Sequence, residues 1–340
     1  MCSLMFVFFF FLLKYELDGN GISYPEIVDG VRRQQRISRR VPFPCDTKLG
    51  RSPSPPDDVH RLRPGDIDIV GGLGDSLVAG SGALEEFAIG TFIEARGVSW
   101  CAGGQADWRM FLTVPNLIKE FNRNLTGFAT GTGEFISAKA GLNVAFPVAA
   151  TEDALHQARI LVGRIKSNPK MDARKHWKLI TILFGANDIC SAQCYSPKAF
   201  SPVRYALHLR RALDYLRAAL FLKLNFNCFY RYDTTKDFAV VFQPFTKLFN
   251  APNSDPQRAP PLDPNLVTYD CFHFSQRGHA LGANLLWNNM LEPVGNKTDA
   301  GLPEILERML CPTESRPYIF TNVNSRRYRE TGSQEGIVPR

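Results

Sequence analysis

The sequence predicts an α/β fold in which a parallel sheet carries helices on both faces. Three observations lead there. Lys178-Leu179-Ile180-Thr181-Ile182-Leu183-Phe184 is a near-continuous apolar run ending at Gly185, as expected of a strand buried on both sides. Asp66-Ile67-Asp68-Ile69-Val70 alternates and then meets glycines, which reads as a strand entering a sharp turn. Between these runs and after them, apolar residues recur at three- and four-residue spacings, the period of a helix with one buried face. Strands that alternate with helices pair in parallel and are covered on both faces.

Taken in chain order, Leu4 to Leu13 form one apolar block. It is too short to cross a bilayer as a helix and has the length of a signal-peptide core. Residues 1–20 therefore read as a signal-peptide-like segment, although no Lys or Arg precedes the block and no clean cleavage site follows. Residues 21–62 are rich in Pro, Arg and Ser without periodicity and read as an irregular extension or pro-segment. Within them Arg36-Ile37-Ser38-Arg39-Arg40 fits a basic processing site or an exposed charged linker. The folded domain is expected over 63–320, with a polar tail at 321–340.

Inside that domain Val98–Cys101 and Gly141–Val144 are short strand candidates. Thr151 caps a helix whose apolar positions are Ala154, Ala158, Leu161, Val162 and Ile165. A second helix carries Ala206, Leu209, Leu213, Leu216 and Leu220 on one side. Asp237–Gln243 reads as a further strand, and a last helix spans about Gln276 to Met290. Parallel sheets place their chemistry at the carboxyl ends of the strands. Ser76, Asn143, Gly185–Asp188 and Pro244 all follow strand candidates, so one shared rim is expected.

Composition narrows the class. Over 340 residues, 44% hydrophobic and 21% charged content suits a globular chain with a sizeable core. The net charge of +7 is partly local, with Arg32, Arg33, Arg36, Arg39 and Arg40 in one stretch. A nucleic-acid partner would need a basic stripe interleaved with aromatics on a folded face, and none is legible. Attraction to anionic lipid headgroups is consistent with the charge. The cysteines other than Cys2 (Cys45, Cys101, Cys190, Cys194, Cys228, Cys271 and Cys311) are scattered and lack the paired spacing of a zinc site, so no metal is expected. With a signal-like start they read as disulfide formers in an oxidising compartment, of open connectivity. Asn124-Leu125-Thr126 and Asn296-Lys297-Thr298 are glycosylation sequons.

The chemistry is concentrated in Gly74-Asp75-Ser76-Leu77 and Asp270-Cys271-Phe272-His273. Serine is a weak nucleophile until a base takes its proton and a carboxylate holds that base in one tautomer. Ser76 is the candidate nucleophile, His273 the base and Asp270 the orienting acid. Gly-Asp-Ser is equally ordinary turn chemistry, and His279 is a competing imidazole without an acid three residues before it. Gly185-Ala186-Asn187-Asp188 offers an Asn187 side-chain amide for a developing oxyanion, or is simply another turn.

These blocks, with Asn143-Val144-Ala145 between them, stand in the order and spacing of the GDSL (SGNH) hydrolases, and the chain resembles that superfamily. Within it the chain looks most like the membrane-associated phospholipase B group, through Leu62–Asp66, Leu142–Ala145, Trp177–Leu179, Gly185–Cys190, Asp237–Val241, Gln243–Phe245 and Asp270–Lys297. The likeness covers roughly Pro44 to Tyr318. It implies a three-layer α/β/α, flavodoxin-like domain that removes acyl chains from phospholipids and lysophospholipids without a cofactor. It also implies a Ser76–His273–Asp270 triad and an oxyanion hole from the Ser76 amide, the Asn187 side chain and a backbone amide of the second block.

Two departures stand out. The family's glycine five residues after its Asn is Val148 here, and losing one oxyanion donor costs about 10²–10³ in rate. After Leu220 the short segment Phe221–Cys228 leads directly to Arg231-Tyr232-Asp233, where the family continues with another core strand and a long loop. This segment either serves as that strand or marks a shortened form. The expectation is a secreted lipolytic serine esterase. A non-lipid carboxylesterase and a catalytically impaired lipid-binding relative are the alternatives.

Overall fold

The structure, a computed structural model, describes residues 30–194, 201–220, 232–233, 235–249, 263–299 and 304–335. The signal-like block and the segment Phe221–Cys228 lie outside the described residues. The regular elements are β1 (Ile67–Gly74), α1 (Ser76–Ala79), α2 (Val114–Phe121), α3 (Ala154–Ser167), β2 (Trp177–Leu183), α4 (Ala186–Cys194), α5 (Pro202–Leu220), α6 (Gln276–Met290) and α7 (Asn322–Thr331).

β1 and β2 pair in parallel, from Ile69 opposite Lys178 to Gly74 opposite Leu183. Along the other edge of β1, Thr126 bridges Ile69 and Asn143 bridges Gly72, both in parallel. β1 is therefore internal to the sheet, which accounts for its near-complete burial. One face packs Ile69 and Leu73 against Ala154, Ala158, Leu161, Val162 and Ile165 of α3 and Ala212, Leu216 and Leu220 of α5. The other packs Val70 against Trp100, α2 residues Leu117, Ile118 and Phe121, and α6 residues Leu281, Leu285, Trp287 and Met290. The result is helix, sheet, helix, as the alternation of elements requires.

The α3 stripe matches the periodicity read from sequence. Of the α5 stripe, Leu216 and Leu220 are buried, Leu209 and Leu213 are half-buried and Ala206 is exposed, and Ala212 is buried beside them. The helix turns its second half, not its first turns, toward the sheet. Three expected strands are reduced or missing. Residues 142–144 contribute only the Asn143 bridge, and 96–98 form a single 3₁₀ turn. Among the described residues, 237–243 form no ladder, and they line one apolar groove together with β2. Strand propensity without a neighbour at hydrogen-bonding distance leaves extended chain.

The irregular stretch 30–62 is packed onto the domain. Buried Gln34 donates to the Trp108 carbonyl (3.1 Å) and accepts from the Leu112 N–H (2.7 Å). Cys45 is disulfide-bonded to Cys311, 266 positions away. Closing so long a loop contributes roughly 5–6 kcal/mol in the chain-entropy account. Cys101, Cys190 and Cys271 are free thiols, of which Cys101 is buried. The polar stretch after 320 contains α7, docked through Asn324, whose side chain donates to the carbonyls of His60 and Ile319 (2.9 Å each). Among the described residues no helix is long and apolar enough to cross a membrane.

Candidate active site

β1 ends at Gly74 because no other residue fits there. A Cβ would lie 2.4 Å from the Leu183 carbonyl oxygen and 2.6 Å from a Val78 methyl, on a backbone with φ +159°. Buried Gln157, reaching across from α3, brackets the same glycine: its Oε1 accepts the Gly74 N–H and its Nε2 donates to the Gly74 carbonyl, both at 2.8 Å. Asp75 then caps α1 by accepting the Leu77 N–H at 2.9 Å. Its other carboxylate oxygen is buried without a partner among the described residues, and burial pushes the carboxyl up to about 6 against the pull of the Leu77 bond. Ser76 is thus the first residue of a short helix at the carboxyl end of β1, 7% exposed. Its own N–H makes no hydrogen bond to any described residue.

The serine turn is held from below by a polar network. Asn143 Nδ2 donates to the Val78 carbonyl (2.9 Å). The Arg96 guanidinium donates to the Asn143 carbonyl (3.1 Å) and side-chain oxygen (3.2 Å) and is paired with Glu94. All three side chains are buried, so the charge is compensated where water does not reach it.

Asp270 and His273 form a closed local unit. The Asp270 carboxylate accepts His273 Nδ1 at 2.5 Å, Thr268 Oγ1 at 2.6 Å, and the backbone N–H groups of Phe272 and His273 at 3.0 Å each. Partial burial alone would raise its pKa. The bonds from Thr268, His273 and the two amides outweigh that and hold the carboxyl down to about 2. An ionised Asp270 on Nδ1 leaves Nε2 as the basic atom of the ring. The turn needs a left-handed residue, and Cys271 supplies it at φ 61°.

His279, the competing imidazole, is a core residue. Its Nδ1 accepts the Trp100 N–H (3.3 Å), and burial, reinforced by His273, pushes its pKa down to about 3. The two motif segments are linked through the loop after α1. Ser81 N–H donates to the Ser76 carbonyl (3.1 Å), and a Cβ on Gly82 would touch the Thr268 methyl. Thr268 N–H in turn donates to the His273 carbonyl (2.8 Å). Ser76 and His273 are not hydrogen-bonded to each other.

Asn187 begins α4 and donates from Nδ2 to the Ala149 carbonyl at 3.0 Å, which brings it beside Val148. Asp188 next to it accepts the Thr151 N–H (3.0 Å) and the Thr151 hydroxyl, tying the 146–153 loop to α4. Val148 has φ 65° and is 79% exposed. The side chain stands in solvent at the rim, and the cost of valine here is its left-handed backbone, about 1–2 kcal/mol. Gln157, Arg96 and Glu94 were not found by sequence reasoning. Only Gln157 left a signal, as a polar residue on the buried stripe of α3. Among the described residues no three His, Cys, Asp or Glu side chains could hold a metal ion.

The fold and these motifs are similar to those of the GDSL hydrolases. Residues 70–222 match the model of the GDSL-like lipase/acylhydrolase family. It is 35% identical to the membrane-associated phospholipase B1 of Homo sapiens over 341 aligned positions, which cover 84% of this chain and 23% of the relative. The phospholipases B1 of Mus musculus and Rattus norvegicus are each 34% identical, covering 81% and 86% of this chain and 22% and 24% of theirs. The chain thus spans about a quarter of the length of the curated relatives it matches. No solved structure matches it significantly.

Proposed function

We propose that the chain is a serine esterase that hydrolyses acyl ester bonds of phospholipids and lysophospholipids. The observation that carries the reading is the Asp270–His273 pair. An ionised carboxylate fixes the tautomer of an imidazole on the same rim as a serine at a helix start. In the reaction Ser76 Oγ attacks the ester carbonyl while His273 Nε2 takes its proton. The tetrahedral oxyanion is stabilised by the Ser76 N–H, the second N–H of the Asn187 amide and the Val148 N–H. Collapse breaks the C–O bond, and His273 returns the proton to the departing alcohol. Water, deprotonated by the same imidazole, then releases the fatty acid from Ser76.

The substrate class is carried by likeness to the phospholipases B1, since fold and triad do not specify it. The strained backbone at Val148 favours one second reading, a slow or impaired relative that retains lipid binding. A secreted, glycosylated protein in transient contact with membrane surfaces is the accompanying proposal. It is supported by the Cys45–Cys311 disulfide and by exposed Asn124 and Asn296 in their sequons.

A fluorophosphonate probe applied to the wild-type protein and to Ser76→Ala tests the assignment. Labelling that vanishes in the variant is expected, and labelling that survives removes Ser76 as nucleophile. A well-folded wild type that does not label supports the impaired relative.

A further inference from the structure

We infer that the rim around Ser76 is a docking face for a phospholipid surface, with loop 81–95 as its leading element. The inference rests on the phospholipid reading above and gives it a place on the molecule. The loop leaves α1 and closes on itself at its base: Gly82 N–H donates to the Ile93 carbonyl (2.8 Å), Ser81 bridges Glu94, and Ala95 N–H donates to the Gly80 carbonyl (2.9 Å). With its base held, its outer part presents Phe87, Ile89 and Phe92 to solvent, the last two 72% and 82% exposed. The neighbouring Asp270–His273 turn exposes Phe272, whose ring meets the His273 ring edge-on at 5.0 Å. Across the rim Val148 and Ile189 are exposed, each a few residues beyond a strand segment.

Single exposed apolar residues are ordinary. Six on the loops at the end of the sheet that carries the nucleophile suit an interaction surface. The opposite end is polar, with a cleft lined by Arg51, Asp68, Arg123, Lys170 and His176. A phospholipid surface suits the apolar end because the scissile ester lies just beneath the headgroups, where large apolar side chains insert. Charge agrees. Arg32 stacks on Tyr269 at 3.9 Å, while Arg33 donates to the Ala83 carbonyl at the loop's base (3.0 Å) and is paired with Glu86 of the loop (2.9 Å). The exposed Arg36, Arg39 and Arg40 follow directly, within a chain of net charge +7. Anionic headgroups attract such a segment.

Sedimentation with phosphatidylcholine vesicles containing phosphatidylglycerol tests the inference in the Ser76→Ala background, where turnover plays no part. Adding Ile89→Ser and Phe92→Ser is expected to weaken vesicle binding about tenfold or more. In the protein that keeps Ser76, the same pair of changes lowers kcat/KM on vesicle phospholipid far more than on a soluble short-chain ester. Unaltered vesicle binding overturns the inference, as does equal loss on both substrates. So does a dimer that the changes convert to monomer while vesicle binding persists. Loop-dependent binding by a protein that hydrolyses no phospholipid would keep the docking face and discard the phospholipase reading.

Discussion

The proposed acid–base arm of the site and its proposed oxyanion arm are built in opposite ways. Asp270 and His273 lie three residues apart, and four hydrogen bonds to one carboxylate, all from residues 268–273, hold the unit together. The oxyanion arm draws Ser76, Val148 and Asn187 from three segments. It is positioned by contacts between them: Gln157 on Gly74, Asn187 on Ala149 and Asp188 on Thr151. A local turn tolerates changes elsewhere in the molecule, whereas an arm assembled over long separations takes up whatever strain its segments carry. Each arm holds one left-handed residue, Cys271 at φ 61° and Val148 at φ 65°, and only Val148 is β-branched.

The comparison can be broken by substitution. His273→Ala is expected to remove about six orders of magnitude in kcat, as loss of the base does in other triads. His279→Ala would act mainly on stability, because that ring supports Trp100 in the core. A thermal melt beside an ester assay separates the two, and the reverse result would exchange their roles.

Asp270→Asn should cost about 10⁴ in kcat by leaving the imidazole without its orienting charge. Its pKa supplies a second check with a definite sign. The folded value of about 2 lies below the ordinary 3.8, so the carboxylate stabilises the fold above about pH 4. That contribution fades as pH falls toward 2. Denaturation followed across this window should show a steeper acid loss in the wild type than in Asp270→Asn.

On the other arm, Asn187→Ala is expected to lower kcat by about 10²–10³ with little change in KM, the mark of a donor used in the transition state. An effect on KM alone would place Asn187 outside the oxyanion hole. The smallest effect sharpens the contrast most. Val148→Gly relieves a left-handed backbone and should raise stability by about 1 kcal/mol, read as a shift in denaturation midpoint. A few-fold rise in turnover alongside it would mean that strain displaces the oxyanion amide. Unchanged turnover would mean the valine N–H already donates well.

Much of this was legible in sequence for a physical reason. Helical and strand periods report burial directly, so the α3 stripe and the apolar run 178–184 identified their elements, and turn-forming motifs such as Gly74-Asp75-Ser76 marked the ends of strands. The Asp270–His273 spacing was legible because both partners belong to one turn. The position of Val148 was readable as a departure, but its φ was not. Strand candidates 98–101 and 237–243 misled because an extended, apolar segment becomes a strand only when another backbone lies beside it.

By itself the sequence determined the order of elements, the apolar faces and the residue types at the rim, since these follow from local propensity and the period of burial. Tertiary structure alone decided which imidazole is buried and which caps the site. It also put Gln157 on Gly74 and Arg96 beneath Asn143, and it left Phe87, Ile89 and Phe92 exposed on the loop that follows the serine's helix. Those outcomes depend on contacts between residues tens to hundreds of positions apart. No local pattern encodes them, because the free energy that selects them arises only when the layers close around β1.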